Sequence, residues 1–165
     1  MKYKFGDLVK DVKININQSN NPYDIYVAGE HMDTDDFTIH RFGRFSTDDV
    51  GPAFIRYFKP GQVLYGSRRT YLRKVAIADF EGITSNTTFV LETKNEDILP
   101  QGLLPHVMKT DKFNEWSISH SKGSTNPYVL FSDLANYEFD LPSKFEDREK
   151  LKFTLNAIVE TIDNA

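Results

Sequence analysis

The chain has 165 residues, a formal net charge of −4 and no cysteine. Its length suits one domain that buries a core, and the missing cysteines exclude disulfides, thiolate metal sites and a cysteine nucleophile. No apolar run approaches the roughly 20 residues of a membrane span. The N-terminus has no apolar signal region, so we expect a soluble, cytoplasmic protein without a membrane partner.

Short runs rich in apolar, aromatic and β-branched residues dominate the first two thirds of the chain. Such runs predict strands where turn residues such as Asn-Pro and Pro-Gly bound them. Residues 37–45 are mixed, and their Arg41 and Arg44 are candidates to enter a nucleic-acid groove. The predicted strands cover residues 24–29, 62–67, 74–80 and 84–93.

The segment between two of these strands is the most distinctive part of the sequence. Residues 55–78 contain no Asp or Glu, although the whole chain is acidic. Arg, Lys, Tyr and Ser are the side chains that hold phosphates and read base edges. A solvated basic loop without a partner is the alternative that charge alone leaves open. The candidate DNA contacts in the segment are Ser67, Arg68, Arg69, Tyr71 and Lys74.

Two of these positions carry a geometric expectation. Arg73 and Lys74 are consecutive at the start of a strand, so their side chains are expected on opposite faces. We therefore expect only Lys74 to reach DNA and Arg73 to pair with a carboxylate. Tyr71 fits the core as well as the surface.

The last third of the chain has a more helical pattern. Residues 98–116 place apolar side chains at helical spacing, which predicts one or two helices. Short strands are expected at 128–131 and 137–141, with a capped helical turn at 132–134 and a long helix after Pro142. The fold class is therefore α/β or α+β, with a twisted, mainly antiparallel sheet or partial barrel and flanking helices.

A loop at residues 123–127 offers backbone N–H groups and short polar side chains. Such groups suit a phosphate or a base edge, although a plain turn before Pro127 explains the same residues. The candidate contacts here are Ser124, Thr125 and Asn126.

Acidic residues cluster with one histidine between positions 30 and 36. A divalent metal is conceivable there, but the spacing fits neither an EF-hand nor a zinc motif. We expect a polar loop instead, and neither a metal nor a cofactor in the protein. The residues concerned are Glu30, His31, Asp33, Asp35 and Asp36.

Five segments, taken in order, resemble a target-recognition domain of a type I restriction-modification specificity subunit. The longest reads Phe-Lys-Pro-Gly-Gln-Val-Leu-Tyr-Gly-Ser-Arg-Arg-Thr-Tyr-Leu-Arg-Lys, where the family commonly has Pro in place of Thr70. Residues 146–147 are Glu-Asp where the family often has Glu-Gln. The segments are residues 29–33, 58–74, 80–85, 123–127 and 133–142.

The resemblance implies a DNA-binding module without catalysis of its own. Residues 1–142 would read half of a split target in double-stranded DNA, and residues 143–165 would begin a coiled-coil spacer helix. Partner methyltransferase (M) and restriction (R) subunits would supply the chemistry. Because the seam of the last helix has barely begun at residue 165, either this helix packs back on the domain or the chain is a fragment or half-subunit of the family's two-domain subunit, and we expect the second.

Apolar residues at intervals of four, three and four form a heptad-like seam in the last helix. Two heptads are short for a stable coiled coil, so we expect a weak homodimer or a joint with a partner subunit. The seam consists of Leu151, Leu155, Ile158 and Ile162.

Two alternatives come from other functional classes. Asp79, Glu92 and Lys94 are similar to the acid, acid-x-Lys arrangement of metal-dependent nucleases, in which two carboxylates on adjacent strands hold Mg²⁺. The Tyr and Arg residues of the basic segment also suit a protein-interaction surface.

Overall fold

The computed structural model describes residues 1–164 and has the mixed composition expected from the sequence. Its helices are α1 (Phe5–Leu8), α2 (Leu104–Lys109), α3 (Asp111–Ser119), α4 (Phe131–Ala135) and α5 (Phe145–Asp163). Its strands are β1 (Lys2–Lys4), β2 (Val9–Asp11), β3 (Ile25–Val27), β4 (Gly43–Arg44), β5 (Phe54–Phe58), β6 (Val63–Gly66), β7 (Val75–Ile77), β8 (Gly82–Ser85), β9 (Thr88–Thr93) and β10 (Glu138–Asp140).

The strands form two four-stranded sheets and one two-stranded ribbon. The central sheet has the order β2-β9-β6-β7, and every neighbouring pair in it is antiparallel. The second sheet has the order β4-β3-β8-β5, in which only β3 and β8 run parallel. Strands β1 and β10 pair separately. The predicted α+β class with mainly antiparallel sheets and a long C-terminal helix is confirmed.

Both faces of the central sheet are buried, because side chains alternate along each strand. Val63 and Tyr65 face one apolar cluster, the helix-side cluster, which also contains residues of helices α1 to α4. Leu64 faces a second cluster, which includes Val27 and Phe58 of the second sheet. The domain therefore has three layers, with the central sheet between helices and the second sheet.

The prediction of one strand over residues 84–93 is wrong. Strand β8 ends at Ser85 in the second sheet, and β9 begins at Thr88 in the central sheet. The turn between them is closed by Ser85 Oγ, which accepts a hydrogen bond from Thr87 N at 3.3 Å. Ser85 and the following Asn86 are both residues that favour turns, so the sequence carries a turn signal inside the predicted strand, although without Gly or Pro.

The predicted strand at 128–131 is also wrong. Tyr128 makes only isolated bridges, and α4 already begins at Phe131, where Asp133 accepts a hydrogen bond from the backbone of Leu130. Strand β5 was not predicted. It contains the buried Arg56, whose Nε donates to Asn15 Oδ1 at 2.8 Å. Arg56 is the one charged residue among aromatic and β-branched neighbours, which are typical of a strand.

Helix α5 packs on the domain along one side. Leu155 and Val159 contact the helix-side cluster, and Asn156 Oδ1 lies 2.8 Å from His106 Nε2. Gly102 allows this approach, since a Cβ there would lie 3.1 Å from the Asn156 side chain. Across residues 1–164 no helix is both long and apolar enough to cross a membrane.

A substitution at Phe113 would measure how much packing in the helix-side cluster stabilises the fold. Phe113 is fully buried, with its ring centroid 5.3 Å from that of Phe5 and 5.2 Å from that of Tyr137. We expect Phe113→Ala to lower the free energy of unfolding by about 3–5 kcal/mol, because it leaves a cavity. Phe153, 75% exposed on α5, is the matched control, and Phe153→Ala should change stability by less than about 0.5 kcal/mol. Equal effects in urea unfolding would contradict this account of the core.

Candidate nucleic-acid interface

The basic loop (residues 66–74) leaves β6 and returns as β7 through a left-handed turn. A single 3-10 turn spans Thr70–Leu72, and the residues on either side of it, Arg69 and Arg73, have φ values of 51° and 53°. Residues other than Gly, Asn and Asp rarely adopt this region. Within this turn Thr70 is buried, whereas Tyr71 is 51% exposed.

A second loop, the polar loop (residues 122–128), forms a closed hairpin. The backbone groups of Lys122 and Tyr128 exchange two hydrogen bonds, of 2.7 and 2.9 Å. Gly123 supports the turn with a φ of 87°, which favours glycine. Its three exposed polar side chains belong to Ser124, Thr125 and Asn126.

The two loops lie against each other. Arg69 N donates to Pro127 O at 2.7 Å, and Val129 N donates to Ser67 O at 3.0 Å. The guanidinium of Arg68 lies over the Tyr128 ring, 5.4 Å from its centroid, which is a cation–π distance. The fold thus brings together two candidate segments that are well separated in sequence.

Arg68 and Arg69 are exposed, and within residues 1–164 neither forms an ion pair. The side chains of Ser124, Thr125 and Asn126 likewise make no hydrogen bond to any described residue. Two guanidinium groups and three short polar side chains therefore remain available on one surface. Such donors can bind phosphate oxygens or base edges.

Four other predicted DNA contacts, unlike the exposed Tyr71, already bind groups within the protein. Ser67 is buried, and its Oγ donates to Thr87 O. Lys74 Nζ donates to Gly29 O at 2.6 Å. Arg41 binds Asp33 Oδ1 at 2.9 Å, and Arg44 binds Asp24 Oδ2 at 3.1 Å. The prediction that Arg73 pairs with a carboxylate agrees with the structure, because its Nε lies 2.8 Å from Asp35 Oδ1.

In the acidic loop (residues 30–36), four of the five titratable side chains, all but that of Glu30, have partners among the described residues. His31 Nδ1 accepts a hydrogen bond from Ala28 N at 3.0 Å, and burial lowers the pKa of the His31 imidazole. Asp36 lies 3.0 Å from His40 Nε2 and also accepts from the Thr38 backbone. Among residues 1–164, no three His, Asp or Glu side chains converge as metal ligands. The carboxylates here organise neighbouring arginines and backbone.

A cavity of about 410 Å³ lies beside the basic loop. The turn between β8 and β9 forms one wall, so its hydroxyl groups join the candidate surface, although they were not among the predicted contacts. The polar run from Ser85 to Thr88 was the available signal. Residues around the cavity include Glu30, Arg68, Arg69, Ser85, Thr87 and Thr88.

The nuclease alternative fails on geometry. Asp79 follows β7 and Glu92 lies on β9, and β6 separates these two strands. Two strand spacings amount to roughly 9–10 Å, so the strands are not adjacent as the alternative requires. Glu92 accepts a hydrogen bond from Gln62 Nε2 at 2.8 Å, and Lys94 Nζ donates to Gly6 O at 2.8 Å.

The predicted seam of α5 is divided between two sides of the helix. Leu155 packs on the core, whereas Ile158 is 52% exposed and Leu151 and Ile162 are also exposed. A shallow apolar groove runs along the exposed side, lined by Phe153, Thr154, Ala157, Ile158, Thr161 and Ile162. The seam is therefore wrong at Leu155, because the helix also buries a side against its own domain.

Comparisons with known proteins agree on one family. The family model for the type I restriction modification DNA specificity domain matches residues 10–164. The chain is 25% identical over 144 residues to the EcoDI type I restriction enzyme specificity subunit of Escherichia coli, covering 86% of this chain and 31% of that protein.

Solved structures support the same fold. The HsdS subunit from Thermoanaerobacter tengcongensis matches with a TM-score of 0.78 and 18% identity, over 99% of this chain and 43% of that chain. A chain from a study of complex assembly and conformational transition of the type I R-M system matches with a TM-score of 0.79 and 19% identity, again over 99% and 43%. This chain therefore spans less than half the length of these relatives.

The pKa of Asp133 reports the contact between the polar loop and α4. A hydrogen bond of 2.6 Å from Lys122 is the main reason that the pKa of Asp133 lies below its usual 3.8. We expect Lys122→Met to raise this pKa towards 3.8, measured by NMR titration. A lowered carboxyl pKa stabilises the folded state above the unfolded pKa, and this is lost as pH falls through the folded pKa. The stability difference between the two proteins should therefore be present at neutral pH and disappear in acid.

Lys112 is the control for this measurement, since it is exposed and forms no ion pair within the described part of the chain. Lys112→Met should leave the Asp133 pKa unchanged. An unchanged pKa in Lys122→Met would mean that the 2.6 Å hydrogen bond does not persist in solution.

Proposed function

Since this chain belongs to the type I restriction modification DNA specificity domain family, we propose that its basic loop and polar loop form the surface that contacts double-stranded DNA. The observation that carries the proposal is the junction of these loops. There, Arg68 and Arg69 are exposed without carboxylate partners among residues 1–164, beside a loop of exposed polar side chains. Phosphate contacts depend on local cations, so a net charge of −4 does not oppose this arrangement.

The two loops suit different parts of a DNA contact. Arg68 and Arg69 can neutralise phosphates, and a guanidinium can also bind guanine O6 and N7 together. Asn126 carries both a donor and an acceptor, which is the pattern that matches adenine in the major groove. Tyr71 offers an exposed ring for contact with sugars or bases. The basic loop thus supports positioning, and the polar loop supports base contact.

We further propose that the chain reads half of a split target. It covers 31% of the E. coli specificity subunit and 43% of the matched solved chains, which is the share expected for one of two recognition units. Residues 1–142 would form the reading unit and residues 143–165 the start of the spacer. Methylation and cleavage would come from partner methyltransferase and restriction subunits.

The exposed groove of α5 is proposed to bind a second copy of this chain. The groove is apolar, and burying one Ile side chain is worth roughly 1.5–3 kcal/mol. Two copies together approach the length of one matched solved chain, of which this chain covers 43%, so a dimer would restore two recognition units. An antiparallel pairing would present two basic loops to a symmetric target. The groove is short, so the dimer should be weak.

The DNA surface is tested by changing both free arginines. Arg68→Ala combined with Arg69→Ala should weaken binding to a pool of randomised duplexes about ten- to hundredfold near 0.1 M salt, because released counterions drive phosphate contacts. The slope of log affinity against log salt should become shallower by about 0.9 for each phosphate that the protein no longer neutralises. Fluorescence anisotropy over a salt series measures both quantities.

A matched control removes two cations outside the loop. Lys2→Ala combined with Lys4→Ala changes the net charge equally, at exposed positions of β1. This control should leave the salt slope unchanged. If both double variants reduce affinity alike, general charge is responsible and the basic loop is not the DNA surface.

The dimer is tested by two glutamates on opposite sides of α5. Ile158→Glu should abolish self-association in sedimentation experiments at high concentration without lowering the free energy of unfolding, because Ile158 is exposed. Leu155→Glu should instead destabilise the domain, since Leu155 packs on the core. Wild-type protein that stays monomeric at all concentrations, or dimers that survive Ile158→Glu, would exclude this interface.

A further inference from the structure

Arg73 lies at the centre of a set of contacts at the end of the basic loop. Its Nε donates to Asp35 Oδ1 at 2.8 Å, its Nη1 to Asp111 Oδ1 at 3.1 Å and its Nη2 to Lys109 O at 2.6 Å. One side chain therefore joins the basic loop to the acidic loop, to the end of α2 and to the start of α3. Its side chain is only 23% exposed.

The backbone reinforces the same junction. Asp35 N donates to Arg73 O at 3.1 Å, and Thr34 Oγ1 donates to the neighbouring carbonyl of Leu72. The end of the basic loop is thus held both through the Arg73 side chain and through its peptide group.

Backbone strain is concentrated in this same group of residues. In residues 1–164, the non-glycine residues with positive φ are Asp35, Arg69 and Arg73. Two of the three, Asp35 and Arg73, bind each other through both side chain and backbone. Such conformations persist only where surrounding contacts hold them, and they concentrate at functional sites. The contacts of Arg73 are therefore what keeps the turn that presents Arg69 and Tyr71.

We propose that Arg73 is a positioning residue of the DNA surface, an inference that rests on the proposed function. It fixes the left-handed turn so that Arg69 and Tyr71 face the ligand, and it does not contact DNA itself. All three of its side-chain nitrogens already donate to protein acceptors. Two carboxylates beside it would also repel a phosphate.

The test compares Arg73→Gly with Arg69→Gly. Glycine tolerates positive φ, so each change keeps the backbone conformation accessible and removes only the side chain. Arg73→Gly should reduce affinity for randomised duplexes about tenfold or more and make the salt slope shallower by about 0.9, because a displaced Arg69 no longer neutralises a phosphate. Adding Arg73→Gly to Arg69→Gly should leave the slope as it is in Arg69→Gly alone. Arg69→Gly should make the slope shallower by about 0.9, as expected when one phosphate is no longer neutralised.

Hydrogen exchange provides a measurement that does not depend on DNA. Leu72 N donates to Arg69 O and Arg73 N to Thr70 O, each at 2.9 Å. Both amides should exchange faster in Arg73→Gly and at the wild-type rate in Arg69→Gly. If Arg73→Gly does not fold, Asp35→Asn combined with Asp111→Asn weakens the same anchor while keeping Arg73, and the two amides should again exchange faster than in the wild type.

The outcomes separate the two proposals. A salt slope that becomes shallower again when Arg73→Gly is added to Arg69→Gly would show that Arg73 itself binds phosphate, and unchanged affinity and exchange in Arg73→Gly would show that the loop needs no anchor. Either result overturns the inference. Wild-type protein that binds no duplex would overturn the proposed function instead, and the exchange rates would still decide whether Arg73 holds the loop.

Discussion

Burial of the central sheet on both faces is the constraint on which the rest of the molecule depends. Val63 and Tyr65 pack towards the helices while Leu64 packs towards the second sheet, so little of the strand surface is left for polar side chains. Groups that meet a ligand must then lie in the connections at the strand ends. The basic loop after β6 and the turn before β9 are two such connections, and the cavity lies between them.

Much of this fold could be predicted because the strands carry their own signals. The strands expected at 62–67 and 74–80 occur as Val63–Gly66 and Val75–Ile77, since their alternating apolar residues and the preceding Pro-Gly turn are local features. The break between β8 and β9 was not predicted, because its signal is a short polar run without Gly or Pro, in which hydroxyl side chains make the turn. Helix α5 was expected, but its packing side depends on residues as distant as Gly102.

The candidate surface could be predicted only in part, for an electrostatic reason. Sequence shows where cations lie, and the acid-free segment at residues 55–78 is visible in it. It does not show which cations find acceptors after folding. Lys74 meets the carbonyl of Gly29, 45 positions away, and Arg41 meets Asp33. Arg68 and Arg69 differ from them only in what the tertiary structure places nearby.

The passage of the chain from one sheet to the other between Ser85 and Thr88 has a mechanical meaning. A wall made by a free-standing loop would bend to fit many shapes. This wall is instead fixed at both ends, because the strand before it is hydrogen-bonded into the second sheet and the strand after it into the central sheet. Moving this turn would disturb the hydrogen bonds of both sheets. The cavity therefore has one wall that is hydrogen-bonded into both sheets, whereas Arg68 and Arg69 of the basic loop, which also line it, are exposed.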